Sequence, residues 1–121
     1  MTNTVALRIA AAMGFLAVAL GAFGAHGLEK ILADNKTTEI WKTAVLYHFA
    51  HTIMLVVLGQ RQPLRHGPWL SFLAGIVIFS GSLYLLAVTN LKWLGAITPI
   101  GGVSFLVGWA WLFFTAGTRT R

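Results

Sequence analysis

IAAAMGFLAVALGAFGAHGL, residues 9–28, is an unbroken stretch of 20 residues without a formal charge. A helix rises about 1.5 Å per residue, so this stretch can cross the roughly 30 Å hydrocarbon core of a bilayer. Three further runs match it: Trp41–Gly59 with Lys42 at its mouth, Trp69–Val88, and Trp93–Phe114. Together the four runs hold about two-thirds of the 121 residues. In lipid every backbone polar group must be satisfied internally, which leaves helices or closed barrels. Long continuous runs without strict alternation select helices. Residues 9–28 also resemble a secretory leader, with Arg8 before the run and Ala22-Phe23-Gly24 as a small-residue site. The run exceeds the usual apolar core of a leader, about 7–15 residues, so it reads as a retained helix.

Composition agrees. The chain is 57% hydrophobic and only 10% charged, against about 25% charged in soluble domains. The net charge is +6, but the basic residues stand singly between apolar runs and form no stripe. They read as membrane-flanking charges, so no nucleic-acid partner is expected and the bilayer is the expected surrounding. With no cysteine, disulfides, thiolate metal sites and cysteine nucleophiles are excluded.

The connections are short. Residues 29–40 read as a polar loop holding all three acids, Glu29, Asp34 and Glu39, with Asp34, Asn35, Thr37 and Thr38 as candidate caps for the second helix. Residues 60–68 carry Pro63 and Pro68, and residues 89–92 form a tight turn. Such links force antiparallel neighbours, giving one domain over 1–121, an up-down-up-down bundle with helices at about 9–28, 41–59, 69–88 and 93–114. Arg8, Arg61, Arg65, Arg119 and Arg121 fall on one side; Lys30, Lys36, Lys42 and Lys92 fall on the other with the acids. The arginine-rich side is expected to be cytoplasmic, with both termini on it. Trp41 and Trp93 are expected at one membrane interface, and Trp69, Trp109 and Trp111 toward the other.

Small residues recur at spacings of three and four. Ala10, Gly14, Ala17, Gly21 and Ala25 do so on the first run; Gly101, Ser104 and Gly108 do so on the fourth; Ser71, Gly75 and Ser82 mark the third. Such faces allow close helix approach, either within the bundle or between copies, and a homo-oligomer is expected. Polar residues within the runs carry the candidate chemistry. His48 and His51 share a helix face, with Tyr47 one turn before His51. His26 ends the first run, and Ser80, Ser82, Tyr84 and Thr98 lie in the third and fourth. Histidines turned to lipid are costly, so the pair should face inward, toward those hydroxyls. They form either interhelical hydrogen bonds or a pocket for a proton or ligand. No acid lies in any run to complete a metal site, so no metal or other cofactor is expected. Pro99 should kink the fourth run or mark a helix that starts near Thr98. No Walker loop, GxSxG, HExxH or carboxylate pair is present, and no enzyme activity is expected.

Gly21-Ala22-Phe23-Gly24-Ala25-His26-Gly27-Leu28, Trp41-Lys42-Thr43-Ala44 and Tyr47-His48-Phe49-Ala50-His51 resemble segments of the transmembrane protein 256-like family (domain of unknown function 423). Phe79-Ser80-Gly81-Ser82-Leu83-Tyr84 and Gly95-Ala96-Ile97-Thr98-Pro99-Ile100-Gly101-Gly102 extend the resemblance across all four runs. It implies a small multi-pass protein of the bacterial inner membrane, with relatives in animals, and it implies no activity or catalytic residues. The chain therefore reads as a non-enzymatic oligomeric bundle acting as a scaffold or binding partner. The alternative is a small-molecule, lipid or proton-handling protein built on His26, His48, His51 and Tyr84.

The four-span reading has a direct test, because the chain has no cysteine of its own. Single cysteines at Asn35 and Gln62 should label with an impermeant maleimide from opposite faces of sealed vesicles. Labelling from the same face would overturn the span count.

Overall fold

The structure, a computed structural model, describes residues 1–117; Arg119 and Arg121 of the orientation count lie outside the described residues. Four helical spans, Asn3–Ala25, Thr38–Gly59, His66–Thr89 and Lys92–Thr115, are each long and apolar enough to cross a bilayer. They form the all-α, up-down-up-down bundle that the four runs predict, and no strand occurs among the described residues.

Local chemistry sets the helix ends. Helix α1, Asn3–Ala25, starts six residues before Ile9. The Thr2 hydroxyl accepts from the Val5 N–H and caps it. The Asn3 amide donates to the Gly59 and Arg61 carbonyls at 2.7 and 2.8 Å, tying this end to the end of the second span. α1 stops at Ala25, so Gly27 and Leu28 lie outside it. The stretch read as a polar loop contains a short helix, α2, Glu29–Asn35, held by the buried Leu32 and closed by Lys36 in the left-handed region (φ 58°). Helix α3 covers Thr38–Gly59. Thr37 precedes it without capping it, because its hydroxyl instead donates to the Ala87 carbonyl of the third span at 2.7 Å.

The third span is not uniform. Helix α4, His66–Gly75, passes through a π turn, Ile76–Ser80, into helix α5, Gly81–Thr89. In the fourth span a 3-10 segment, Lys92–Ala96, precedes helix α6, Thr98–Thr115. Pro99 sits in the first turn of α6. There its missing N–H is not needed and its fixed φ suits helix entry. The break predicted at Pro99 is thus the start of a helix and not a kink within one.

Small residues are spent inside the chain. Along α1, Ala6, Ala10 and Ala17 are buried. The absent Cβ atoms of Gly14 and Gly21 would stand 3.5 and 3.4 Å from Thr52 and Val45 of α3. The fourth span locks onto the third the same way. A Cβ on Gly101 would fall 2.3 Å from the backbone nitrogen of Phe79, inside the π turn, and one on Gly108 would strike the Phe72 ring. Ser104 donates to the Ser71 carbonyl at 2.7 Å. The outward surface is apolar and bulky, with Phe15, Leu106 and Phe113 exposed at 75%, 68% and 76%, which suits lipid contact. Among the tryptophans, Trp93 is exposed, but Trp41 and Trp69 are buried, at 4% and 0%. Their indoles donate to carbonyls of other segments, Trp41 to Leu20 and Trp69 to Leu55, so neither forms part of an interfacial belt.

The contact at Gly101 is backbone against backbone and cannot relax by a rotamer change. Gly101→Ala should lower unfolding stability in detergent by about 3 kcal/mol, the upper end of the usual overpacking cost. Gly102→Ala meets Phe79 at an ordinary 3.8 Å and should be neutral or gain up to about 1 kcal/mol. Equal tolerance of both substitutions would refute the close approach.

Candidate functional site

Helix α3 carries His48 and His51 on one face, and both are buried, at 3% and 7%. They meet different spans. His48 Nδ1 lies 2.8 Å from the Tyr84 hydroxyl of α5. His51 Nε2 lies 3.0 Å from Trp109 Nε1 of α6. An indole N–H only donates, so Nε2 of His51 must be the acceptor. The proton then sits on Nδ1, which donates to the Tyr47 carbonyl at 2.9 Å. Two hydrogen bonds thus select one neutral tautomer of His51. Its ring also stacks on Phe105, with centroids 3.7 Å apart and planes 13° apart.

His48 is satisfied on one side only. Its Nε2 has no hydrogen-bond partner within the described residues, and the Met13 carbonyl of α1 is the backbone group that faces the ring. A tyrosine hydroxyl can donate or accept, so this contact, unlike the one at His51, does not by itself select a tautomer of His48. Thr52, one turn on, donates to the His48 carbonyl at 2.8 Å. Tyr84 also packs against Trp41, with ring centroids 4.7 Å apart. The π turn immediately precedes α5 and adds one residue to the local turn, which re-aims the side chains of α5; such turns recur at functional sites.

The other candidates disperse. The Ser80 hydroxyl donates to the Ala44 carbonyl at 2.8 Å, and Ser82 pairs with Thr98 at 2.6 Å. These bonds join spans, and their partners are not the histidine rings. Tyr47 is 40% exposed, and its ring lies against Phe79 and Phe105. His26 is the exposed C-cap of α1. It stands 13 residues along the chain from Met13, about 20 Å at helical rise, so it takes no part in the histidine cluster. Trp109 is the partner that the sequence reading missed. Its signal was the spacing from Phe105 on the face beside Gly101 and Gly108. No group of three or more His, Cys, Asp or Glu among the described residues could hold a metal ion.

A family model described as a protein of unknown function (DUF423) matches residues 20–102. The chain is 48% identical to the UPF0382 membrane protein YwdK of Bacillus subtilis (strain 168), over 84% of this chain and 86% of the relative. It is 50% identical to a UPF0382 membrane protein of Staphylococcus epidermidis (strain ATCC 12228 / FDA PCI 1200), over 78% and 80%. It is 44% identical to the UPF0382 inner membrane protein YgdD of Escherichia coli (strain K12), over 91% and 87%. No solved structure matches it. The matched residues include both buried histidines, the π turn and the Pro99 entry, and the chain belongs to the DUF423 family of membrane proteins.

Proposed function

We propose that this protein is a non-enzymatic inner-membrane bundle acting as a scaffold or binding partner, whose buried histidines hold its spans in register. The carrying observation is that one face of α3 bonds to the third span through His48–Tyr84 and to the fourth through His51–Trp109. Bonds of this kind contribute about 0.6 kcal/mol each in membranes and up to about 1.7. Their value lies in direction: a hydroxyl and an indole must each find a ring nitrogen, which specifies how the helices turn.

Placement in the inner membrane is supported by the Escherichia coli relative, which is named an inner membrane protein. Cytoplasmic termini are supported by Arg8, Arg61 and Arg65, which share the end of the bundle where Asn3 meets Gly59. Gly14, Gly21, Gly101 and Gly108 face neighbours within the chain, so a homo-oligomer would have to form through other, outward residues. Native mass spectrometry from mild detergent separates that case from a monomer. A second reading, proton or small-molecule handling, has one observation in its favour, the unpartnered His48 Nε2.

A double-mutant cycle tests the register role. His48→Gln and Tyr84→Phe should each lower stability, with a coupling of about 0.6–1.7 kcal/mol; zero coupling would remove the register role. In sealed proteoliposomes with an entrapped pH dye, wild type and His48→Gln should behave alike. Proton flux in the wild type that vanishes in His48→Gln would replace the scaffold reading with proton handling.

A further inference from the structure

A groove of about 610 Å³, open on one side, lies between α1, α2 and α3, at the end of the bundle opposite the termini. It is distinct from the histidine cluster. Its inner wall is apolar: Gly21, Gly24 and Ala25 of α1 face Trp41, Leu46 and Phe49 of α3. The Trp41 ring is seated there because Gly24 has no Cβ, which would stand 2.2 Å from Nε1, and because the indole donates to the Leu20 carbonyl at 2.9 Å. The rim carries two charges of opposite sign, Lys42 and Glu29. Among the described residues the one ion pair is Lys30 with Asp34, so Lys42 and Glu29 line the same groove without neutralising each other.

Depth orders these features. Lys42 lies one turn inside α3, and Phe49 is seven residues further, about 10 Å deeper at helical rise. A ligand here meets separated positive and negative charges at headgroup level and an apolar channel beneath. We propose that the groove binds a phospholipid with a zwitterionic aminoalkyl headgroup. The Lys42 ammonium takes the phosphate, the Glu29 carboxylate takes the primary ammonium near Ala25, and one acyl chain lies deeper, over Gly21 along Leu46 and Phe49. Charge complementarity decides the class. An anionic headgroup without an amine would satisfy Lys42 but leave Glu29 repelling it, whereas a primary ammonium donates charge-assisted hydrogen bonds to a carboxylate. This site does not depend on the scaffold reading, and its failure would leave that reading intact.

The experiment equilibrates the full-length protein with vesicles of equimolar phosphatidylethanolamine and phosphatidylglycerol, then counts retained lipid by native mass spectrometry. Wild type should retain the ethanolamine lipid about five-fold over the glycerol lipid, the effect of roughly one exposed charge pair. Glu29→Gln should bring that ratio to about one, and Lys42→Gln should lower retention of both lipids. Ala25→Phe, at an exposed position, should fill the groove and abolish retention with helicity unchanged by circular dichroism. If Ala25→Phe loses helicity, Leu46→Trp fills the same groove from α3 and takes its place. Equal retention of the two lipids by wild type, a ratio indifferent to Glu29→Gln, or retention that survives filling of the groove would each overturn the proposal.

Discussion

Hydrocarbon supplies no hydrogen bonds, and most of the bundle's interior is shaped by that constraint. Helical hydrogen bonds satisfy the backbone but leave each carbonyl a second lone pair. The polar side chains inside the spans use that spare capacity. Trp41 reaches Leu20, Trp69 reaches Leu55, Ser80 reaches Ala44 and Ser104 reaches Ser71. Each of these bonds ties one span to another. A side chain that finds its acceptor on a neighbouring backbone fixes axial position as well as contact. The two histidines, which offer acceptors of their own, add the links from α3 to Tyr84 and Trp109.

Close approach of helices is the condition for those bonds, and glycine supplies it where backbones nearly touch. The Gly101–Phe79 contact brings α6 against the π turn, and Gly24 admits the Trp41 ring. The ends are fastened by polar groups of the connecting segments. Asn35 donates to the Ala87 and Val88 carbonyls at one end, and Arg65 donates to the Thr115 hydroxyl at the other.

The spans were legible because bilayer thickness imposes a length, and apolar runs report length without knowledge of partners. Helix α2 was not legible: seven residues with a single buried anchor, Leu32, look like any polar connection. The π turn was equally silent, since Ile76–Ser80 differs from an ordinary helical segment only in which carbonyl each N–H chooses. His48, His51 and Tyr84 stood out as polar residues in apolar runs, but their pairing required the rotation of each helix. Trp41 and Trp69 were misread as belt residues because an indole satisfies its N–H equally well at headgroups or on an interior acceptor. Ser82 and Thr98 were legible as polar, yet each proved to be the other's partner.

The arrangement of close contacts divides the chain into two halves. α1 lies along α3, and α6 lies along α4 and the π turn, each through small residues. The halves join across α3 through a shared apolar core, in which Ala10, Leu55, Leu58, Trp69, Phe72 and Phe105 meet, and through hydroxyl, imidazole and indole groups. Each half is a hairpin with its own close-packed seam of small residues, and its two spans are joined by a short connection. The directional bonds of the two histidine rings to Tyr84 and Trp109, which need a particular rotation of each helix, lie between the hairpins and not within them. The order of synthesis along the chain matches this division, because the first hairpin is complete at Gly59 before any residue of the second span pair has been made.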